Sequence, residues 1–420
     1  MVNEREDIRE TSKKHRKVQG LMHRVNVDNL MKEHRKQDGT KALGIDSVSK
    51  EEYEINLQNN LEEVIKKMKT FRYRPQAVRR AYIPKANGKL RPLGIPAYED
   101  KLVQGVMANI LNEIYEPRFM ETSYGFRENR NCHEVIREIK KLIMTKKVNY
   151  ILDADIKGFF DNVDHKWLIK FLENDIEDKN FIRYVVRFLK AGIMEGNKYY
   201  ESEKGTPQGG LISPVLANVY LHYALDLWFE KWVKPRVKGE VYLIRYADDF
   251  IVMFQYENEA KAFYEVLKKR MEKFGLEIEP EKTKIIPFGR FKCSKEKFDF
   301  LGFTHINGKS RTGKYLVKHK TSVKKLKLKR QEYKVWIKEN MHNFIGDIIE
   351  TIKKKLQGHY NYYGINGNSE DIGKYHWYVH FTTFKYLNRR HQKRSMSYEL
   401  FCRIWKGMNV PLPKVRVHIG

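Results

Sequence analysis

The sequence predicts an α+β fold, and three features predict it. Apolar residues recur at helical spacing before residue 75 and again beyond about residue 315, short runs of β-formers lie between, and the order is too irregular for a parallel βαβ array. A chain of 420 residues can bury a real core in two or three units, and 41% hydrophobic with 13% aromatic residues excludes a wholly disordered chain. Against 53 acidic residues stand 81 Lys and Arg, a net charge of +28. That is the balance of a polyanion binder.

In chain order, residues 1 to about 75 read as helical, with Leu57, Leu61, Val64, Ile65 and Met68 on one face and Gly44–Ser49 between helices. Arg79–Pro84 and Lys89–Pro96 flank Lys85-Ala86-Asn87-Gly88; Asn-Gly favours the positive φ angles of a tight turn, so a hairpin with a basic tip is expected. Helices follow over Asp100–Tyr115 and about 131–145, joined by a Gly- and Arg-containing segment, Ser123–Arg130. Tyr150–Ile156 alternates apolar and acidic residues as a strand does, before a break at Gly158. A helical stretch interrupted near Gly192 leads to the loop Gly205–Gly210. Ser213 as N-cap and Pro214 in the first turn then start a helix with Leu216, Val219, Tyr220, Tyr223 and Leu227 on one face. Val241–Tyr246 and Phe250–Phe254 read as a hairpin turning at Ala247-Asp248-Asp249, followed by a helix over Glu259–Phe274 and strands near Ile278–Ile286 and Phe298–Phe303. From about 315 to 420 a basic helical domain is expected, its buried stripe formed by Phe344, Ile345, Ile348, Ile349, Ile352 and Leu356.

Cys132, Cys293 and Cys402 are too scattered for a disulfide framework or a four-cysteine zinc site, so a reducing compartment and no structural zinc are expected. The N-terminus is charged where a signal peptide would be apolar. The best apolar run, Leu211–Phe229, is interrupted by Pro214, Asn218, His222 and Asp226. A cytoplasmic protein with no membrane partner is the expectation.

Two adjacent carboxylates at the turn of an apolar hairpin are costly. If Asp155, at the end of another strand, converges on Asp248 and Asp249, neighbouring carboxylates about 4 Å apart repel by roughly 4 kcal/mol at an effective dielectric of 20. A hard divalent cation relieves this, and two such ions can stabilise both oxygens of an in-line phosphoryl displacement. Nucleotidyl transfer is the implied reaction. Asp153, two residues before Asp155 on the same side of the strand, is the competing ligand, with a structural hydrogen-bonded acid as its other reading.

The ordered set Gly44–Ser49, Tyr82–Lys85, Arg91–Pro96, Ser123–Arg127, Asp155–Phe160, Gly205–Gly210, Tyr246–Asp249 and Phe300–Phe303 resembles the reverse transcriptases, or maturases, encoded by bacterial group II introns. Leu356–Gly364 is more loosely similar to the Gly-aromatic segment of their thumb. The resemblance implies a right-hand polymerase fold with an antiparallel palm sheet. Residues 1–75 would form a helical extension and the start of the fingers, 76–150 the fingers, 151–305 the palm with a fingers-like insertion near 165–205, and 315–420 a basic helical thumb/maturase domain.

It further implies that Asp155, Asp248 and Asp249 bind two Mg²⁺ ions, with Mn²⁺ as a substitute, and that Lys85, Arg91, Gln208 and Gly209 contact the incoming dNTP. Phe160 matches a steric gate beneath the sugar, with Phe159 as the fallback, and Lys282 a lysine that assists the leaving group. Arg127, Phe300, Leu301 and Gly302 would meet primer or template, Phe300–Phe303 serving as primer grip or as a plain core strand. Lys324, Lys325, Lys327, Lys329, Arg330, Arg389 and Arg390 are the candidates for RNA binding, beside the interleaved aromatics Tyr360, Tyr362, Tyr363, Trp377 and Tyr378, which otherwise serve as core. The lone Cys402 implies that the terminal DNA-endonuclease module of many intron proteins is missing.

The expected function is therefore an RNA-directed DNA polymerase that also binds structured intron RNA and promotes splicing and mobility, with an RNA template and a DNA or RNA primer as partners. It would be nucleoid-associated when acting on DNA. The alternatives are a non-polymerising RNA-binding splicing factor and a host-domesticated reverse transcriptase used in phage defence or repair.

Overall fold

Two of the early helices start where the sequence offers a cap. α1 (Glu4–Lys14) is followed by α2 (Val27–Lys36), whose Asn26 cap accepts from the Asn29 amide. In α3 (Lys50–Glu54), Ser49 and Glu52 form a reciprocal capping box, and α4 (Leu57–Lys69) buries Leu61, Val64, Ile65 and Met68 as its spacing predicts. The Gly44–Ser49 stretch has a packing reason: a Cβ on Gly44 would lie 2.4 Å from the Pro96 carbonyl. Asp46 in turn accepts from the Tyr98 amide at the start of α5 (Tyr98–Tyr115).

The computed structural model describes residues 4–84, 90–292, 294–390 and 396–419. It divides into two units, Met1–Asn131 with Leu152–Ile285, and Cys132–Ile151 with Ile286–Gly420.

In the first unit, β1 (Val78–Pro84) and β2 (Leu90–Ile95) pair antiparallel in the register Pro84↔Leu90. The expected turn between them, with Lys85, lies outside the described residues. The interruption expected near Gly192 is a hairpin of its own, β4 (Ile193–Glu195) and β5 (Lys198–Tyr200), which extends this sheet through β1. Strands of three residues are too short to leave a periodic signal.

The central sheet has the order β6-β7-β3-β8, with β3 (Tyr150–Ala154), β6 (Val241–Tyr246), β7 (Asp249–Phe254) and β8 (Lys284–Pro287). Helices α7 (Phe159–Asn162), α8 (His165–Asp175), α9 (Lys179–Leu189), α10 (Ser213–Leu221) and α11 (Glu257–Lys273) complete the unit. Ser213 is not the cap of α10. It is the first helical residue, and its hydroxyl donates to the Pro207 carbonyl, fastening the Gly205–Gly210 loop. Beyond α10 the helix widens into π-turns over His222–Asp226 and Phe229–Val233.

The second unit begins with α6 (Cys132–Thr145) and a three-stranded sheet of β9 (Lys297–Phe300), β10 (Phe303–Lys309) and β11 (Tyr315–Thr321). The stretch read as one strand through Phe303 is a corner: Phe300 pairs with Phe303 across Leu301 and Gly302, whose φ angles are +48° and +78°. The helical domain expected from 315 likewise starts as β11, and helix begins only at α12 (Val323–Asn340), followed by α13 (Ile345–Tyr363), α14 (Ser369–Leu387) and α15 (Tyr398–Gly407). Lysines at alternate strand positions carry no helical period, so composition misled there. The core of this unit joins Ile337, Ile348, Ile352, Leu356, Tyr360, Ile372 and Val379.

Candidate active site

The turn between β6 and β7 has two residues, Ala247 and Asp248, because Tyr246 pairs with Asp249. Ala247 has φ +59°, a left-handed conformation that costs a non-glycine residue roughly 1–2 kcal/mol. Its surroundings impose that shape. Arg245, fully buried in an otherwise apolar strand, donates to the Ala247 carbonyl at 2.8 Å and to Asn218 of α10 at 2.9 Å. The same guanidinium binds both oxygens of Asp226 at 2.8 and 2.6 Å, with both side chains 0% exposed. Asp226 sits in the first π-turn, and Asn218 donates to the Gly125 carbonyl at 2.7 Å. A Cβ on Gly125 would lie 2.2 Å from the Ala247 amide nitrogen, so the Ser123–Arg127 segment presses backbone to backbone against the acidic turn.

This clamp escaped the sequence reading. Its signal was visible in the polar residues Asn218 and Asp226 within an apolar run and the arginine within an apolar strand.

Asp155 follows β3, the neighbour of β7 in the sheet, and its backbone is tied to Glu279 by the hydrogen bond Glu279 N–H to Asp155 C=O at 2.8 Å. Lys282 donates to the Asp155 carboxylate at 2.7 Å, and that hydrogen bond raises the lysine's pKa, with the charge of Asp249 adding to it. The Asp248 carboxyl is pushed above the usual carboxylate range by burial first and by the Asp155 charge next, with the charges of Arg91 and Arg245 acting the other way. Asp248 therefore feels Asp155 and Arg91, and Lys282 feels Asp155 and Asp249. Asp153 is half-buried inside β3.

The other expected residues fall into two groups. Gly94 N–H donates to the Gln208 carbonyl at 2.7 Å, and a Cβ on Gly209, at φ +117°, would meet the Gly94 carbonyl at 2.7 Å; the Gly205–Gly210 loop thus lies against β2, which carries the exposed Arg91. Phe160 is half-buried, edge-on to Phe159 at 5.4 Å and to the exposed Phe126 at 6.5 Å, while Phe159 is core. The Phe160 carbonyl accepts from Thr206 of that loop.

Arg127 turns inward instead. It is 7% exposed, paired with Glu116 and bonded to the carbonyls of Met120 and Ser123, so it braces its own loop and offers no surface to primer or template. Phe300 is likewise buried, below Leu301 and Gly302 at the corner of the second unit's sheet. Lys324, Lys325, Lys327 and Lys329 are exposed along α12, Arg330 lies over Tyr378, and Arg389 over Tyr386. Arg390 spends its guanidinium on the carbonyls of Met341 and Asn343.

Among the described residues no three Asp, Glu, His or Cys side chains already form a cluster that could hold a metal ion. The donors nonetheless fit one: Asp155 and Asp248 are hard oxygen ligands from neighbouring strands, and the Lys282 ammonium already holds a positive charge on Asp155.

A profile of the family described as reverse transcriptase (RNA-dependent DNA polymerase) matches residues 83–305, more than half of the chain. The chain belongs to the reverse transcriptase family. Protein YkfC of Escherichia coli is 31% identical over 312 residues, 66% of this chain and 80% of that protein. The group II intron-encoded protein LtrA of Lactococcus lactis is 36% identical over 245 residues, 56% of this chain; the chain spans only 41% of LtrA's length. An uncharacterized 91 kDa protein in the cob intron of Schizosaccharomyces pombe is 40% identical over 170 residues, 40% of this chain and 21% of that protein. Among its described residues the chain has no helix long and apolar enough to cross a membrane.

Proposed function

We propose that this reverse transcriptase is an active RNA-directed DNA polymerase and that it binds group II intron RNA as a maturase, promoting splicing and mobility. One observation carries the catalytic reading: Asp155 and Asp248, from neighbouring strands, interact electrostatically at a site that also feels Arg91 and holds Lys282. When bound there, two Mg²⁺ ions would supply Lewis-acid stabilisation of the attacking and leaving oxygens. The chain's own side chains do the rest. Asp155 and Asp248 present the ligand oxygens, with Asp249 at the mouth of the turn. Arg91, exposed on β2, neutralises charge on the triphosphate. Lys282, kept protonated by Asp155, can give a proton to departing pyrophosphate. Phe160 presents a ring where a 2′-hydroxyl would lie. For the maturase reading, the exposed lysines of α12 and the kinship with LtrA are the support.

Primer extension on an RNA template with Mg²⁺ tests the polymerase. Asp248→Ala should abolish synthesis while RNA binding survives; extension by that variant would refute the assignment. Sequencing of RNA that co-purifies with the chain tests the maturase, and recovery of no structured intron RNA would count against it.

A further inference from the structure

Phe126 stands where neither backbone preference nor core packing accounts for a phenylalanine. It is 51% exposed, and its φ is +59°, a conformation rare for a bulky side chain. Both of its neighbours are anchored. Gly125 presses on the Ala247 backbone, and Arg127 is held inward by Glu116 and by the Met120 and Ser123 carbonyls. Strain of this kind persists where the surrounding structure over-determines it, and it collects at ligand sites. Its result here is an aromatic ring standing out from the Ser123–Arg127 segment beside Phe160.

The backbone of Phe160 is fixed separately. Its carbonyl accepts from the Thr206 amide at 2.7 Å, and a Cβ on Gly205 would lie 3.0 Å from the same oxygen, so the Gly205–Gly210 loop sets where the residue sits. Those contacts do not set where its half-buried ring points. Among the described residues two rings meet it, both edge-on: Phe159, 2% exposed, at 5.4 Å and 70°, and Phe126 at 6.5 Å and 78°. Both separations lie in the range of favourable aromatic pairs, roughly 4.5–7 Å. Phe159 belongs to the core, and Phe126 supplies the exposed contact.

We infer that Phe126 is a positioning residue for sugar selection: its ring holds that of Phe160 in place against Phe159, so that rejection of a 2′-hydroxyl is a property of the Phe126–Phe160 pair. The inference rests on Phe160 being the sugar gate. It gives the Ser123–Arg127 segment a role besides its packing on the acidic turn. Losing such a pair shifts a ring's orientational equilibrium roughly two- to tenfold, which releases Phe160 and makes room for the hydroxyl.

The test is primer extension by the full chain on an RNA template, with kcat and KM measured for a dNTP and its matching rNTP. Phe126→Ala and Phe126→Gly both remove the ring, and glycine also suits φ +59°, so the second variant keeps the turn if the first disturbs it. In each, the deoxy-to-ribo ratio of kcat/KM should fall roughly two- to tenfold, chiefly through a lower KM for the ribonucleotide. Phe126→Tyr, which keeps the ring, should retain the parental ratio. With Phe160→Ala already in place, adding Phe126→Ala should lower the ratio no further. A parental ratio in either folded ringless variant, a Phe126→Tyr chain as unselective as Phe126→Ala, or an equal further loss on the Phe160→Ala background would overturn the inference while leaving the gate intact. If Phe160→Ala alone leaves the ratio unchanged, the gate falls and the inference with it.

Discussion

Replacing Arg245 by Met removes the buried cation that holds Asp226 and the Ala247 carbonyl. Asp226 is 0% exposed and has both oxygens on that guanidinium, so the variant strands a buried carboxylate, a loss of roughly 3–5 kcal/mol. Against a total stability of about 5–15 kcal/mol, this should lower the unfolding midpoint visibly. The double variant Arg245→Met/Asp226→Leu removes both charges of the pair and should recover most of the loss. It still cannot donate to the Ala247 carbonyl, which Arg245 reaches at 2.8 Å. An unmet buried acceptor costs about 1–3 kcal/mol, and the turn escapes that cost by relaxing away from φ +59°. Since about 1.4 kcal/mol in the barrier is tenfold in rate, the folded double variant should extend primers roughly ten- to a hundredfold more slowly. Denaturant unfolding followed by circular dichroism, with single-turnover extension on the same preparations, measures both. The reasoning is refuted if Arg245→Met unfolds with the parent, or if the double variant folds and extends at the parental rate.

Asp248→Asn should stabilise the chain near neutral pH, because the folded-state pKa of Asp248 is raised by burial. The folded chain holds that proton longer than the unfolded one, so the parent loses stability as pH rises from about 3.9, the unfolded value, through the folded one. The gap between variant and parent should therefore open across that window and close in acid, and a constant gap in pH-dependent melts would contradict it. Phe160→Ala should lower the deoxy-to-ribonucleotide preference at least tenfold in competitive incorporation; an unchanged ratio removes the gate. Gly125→Ala, forced to within 2.2 Å of the Ala247 nitrogen, should displace the turn and reduce kcat by about a hundredfold with little change in RNA affinity, which extension and filter-binding assays separate.

Much of this was legible in the chain itself. The hairpin with two acids at its turn, the acid ending a neighbouring strand and the capped helices each follow from local pattern. Gly44 and Gly125 appeared in the motifs, but their reason did not, since it is the approach of backbone distant in sequence. Arg127 turns inward and Phe300 takes the core alternative; a sequence motif does not say whether a side chain faces ligand or core. Both are buried. The β4–β5 hairpin and β11 were missed because short or lysine-rich strands lack an apolar alternation to betray them.

In the proposed mechanism Asp155 and Asp248 jointly present a metal site for nucleotidyl transfer. Electron paramagnetic resonance titration of Mn²⁺ into the chain bound to an RNA template, a dideoxy-terminated primer and the next dNTP tests it most directly. Two ions should bind per chain in the parent, with both lost from the tight class in Asp155→Asn/Asp248→Asn. An unchanged count in a folded double variant would mean that the ions, and the chemistry, lie elsewhere.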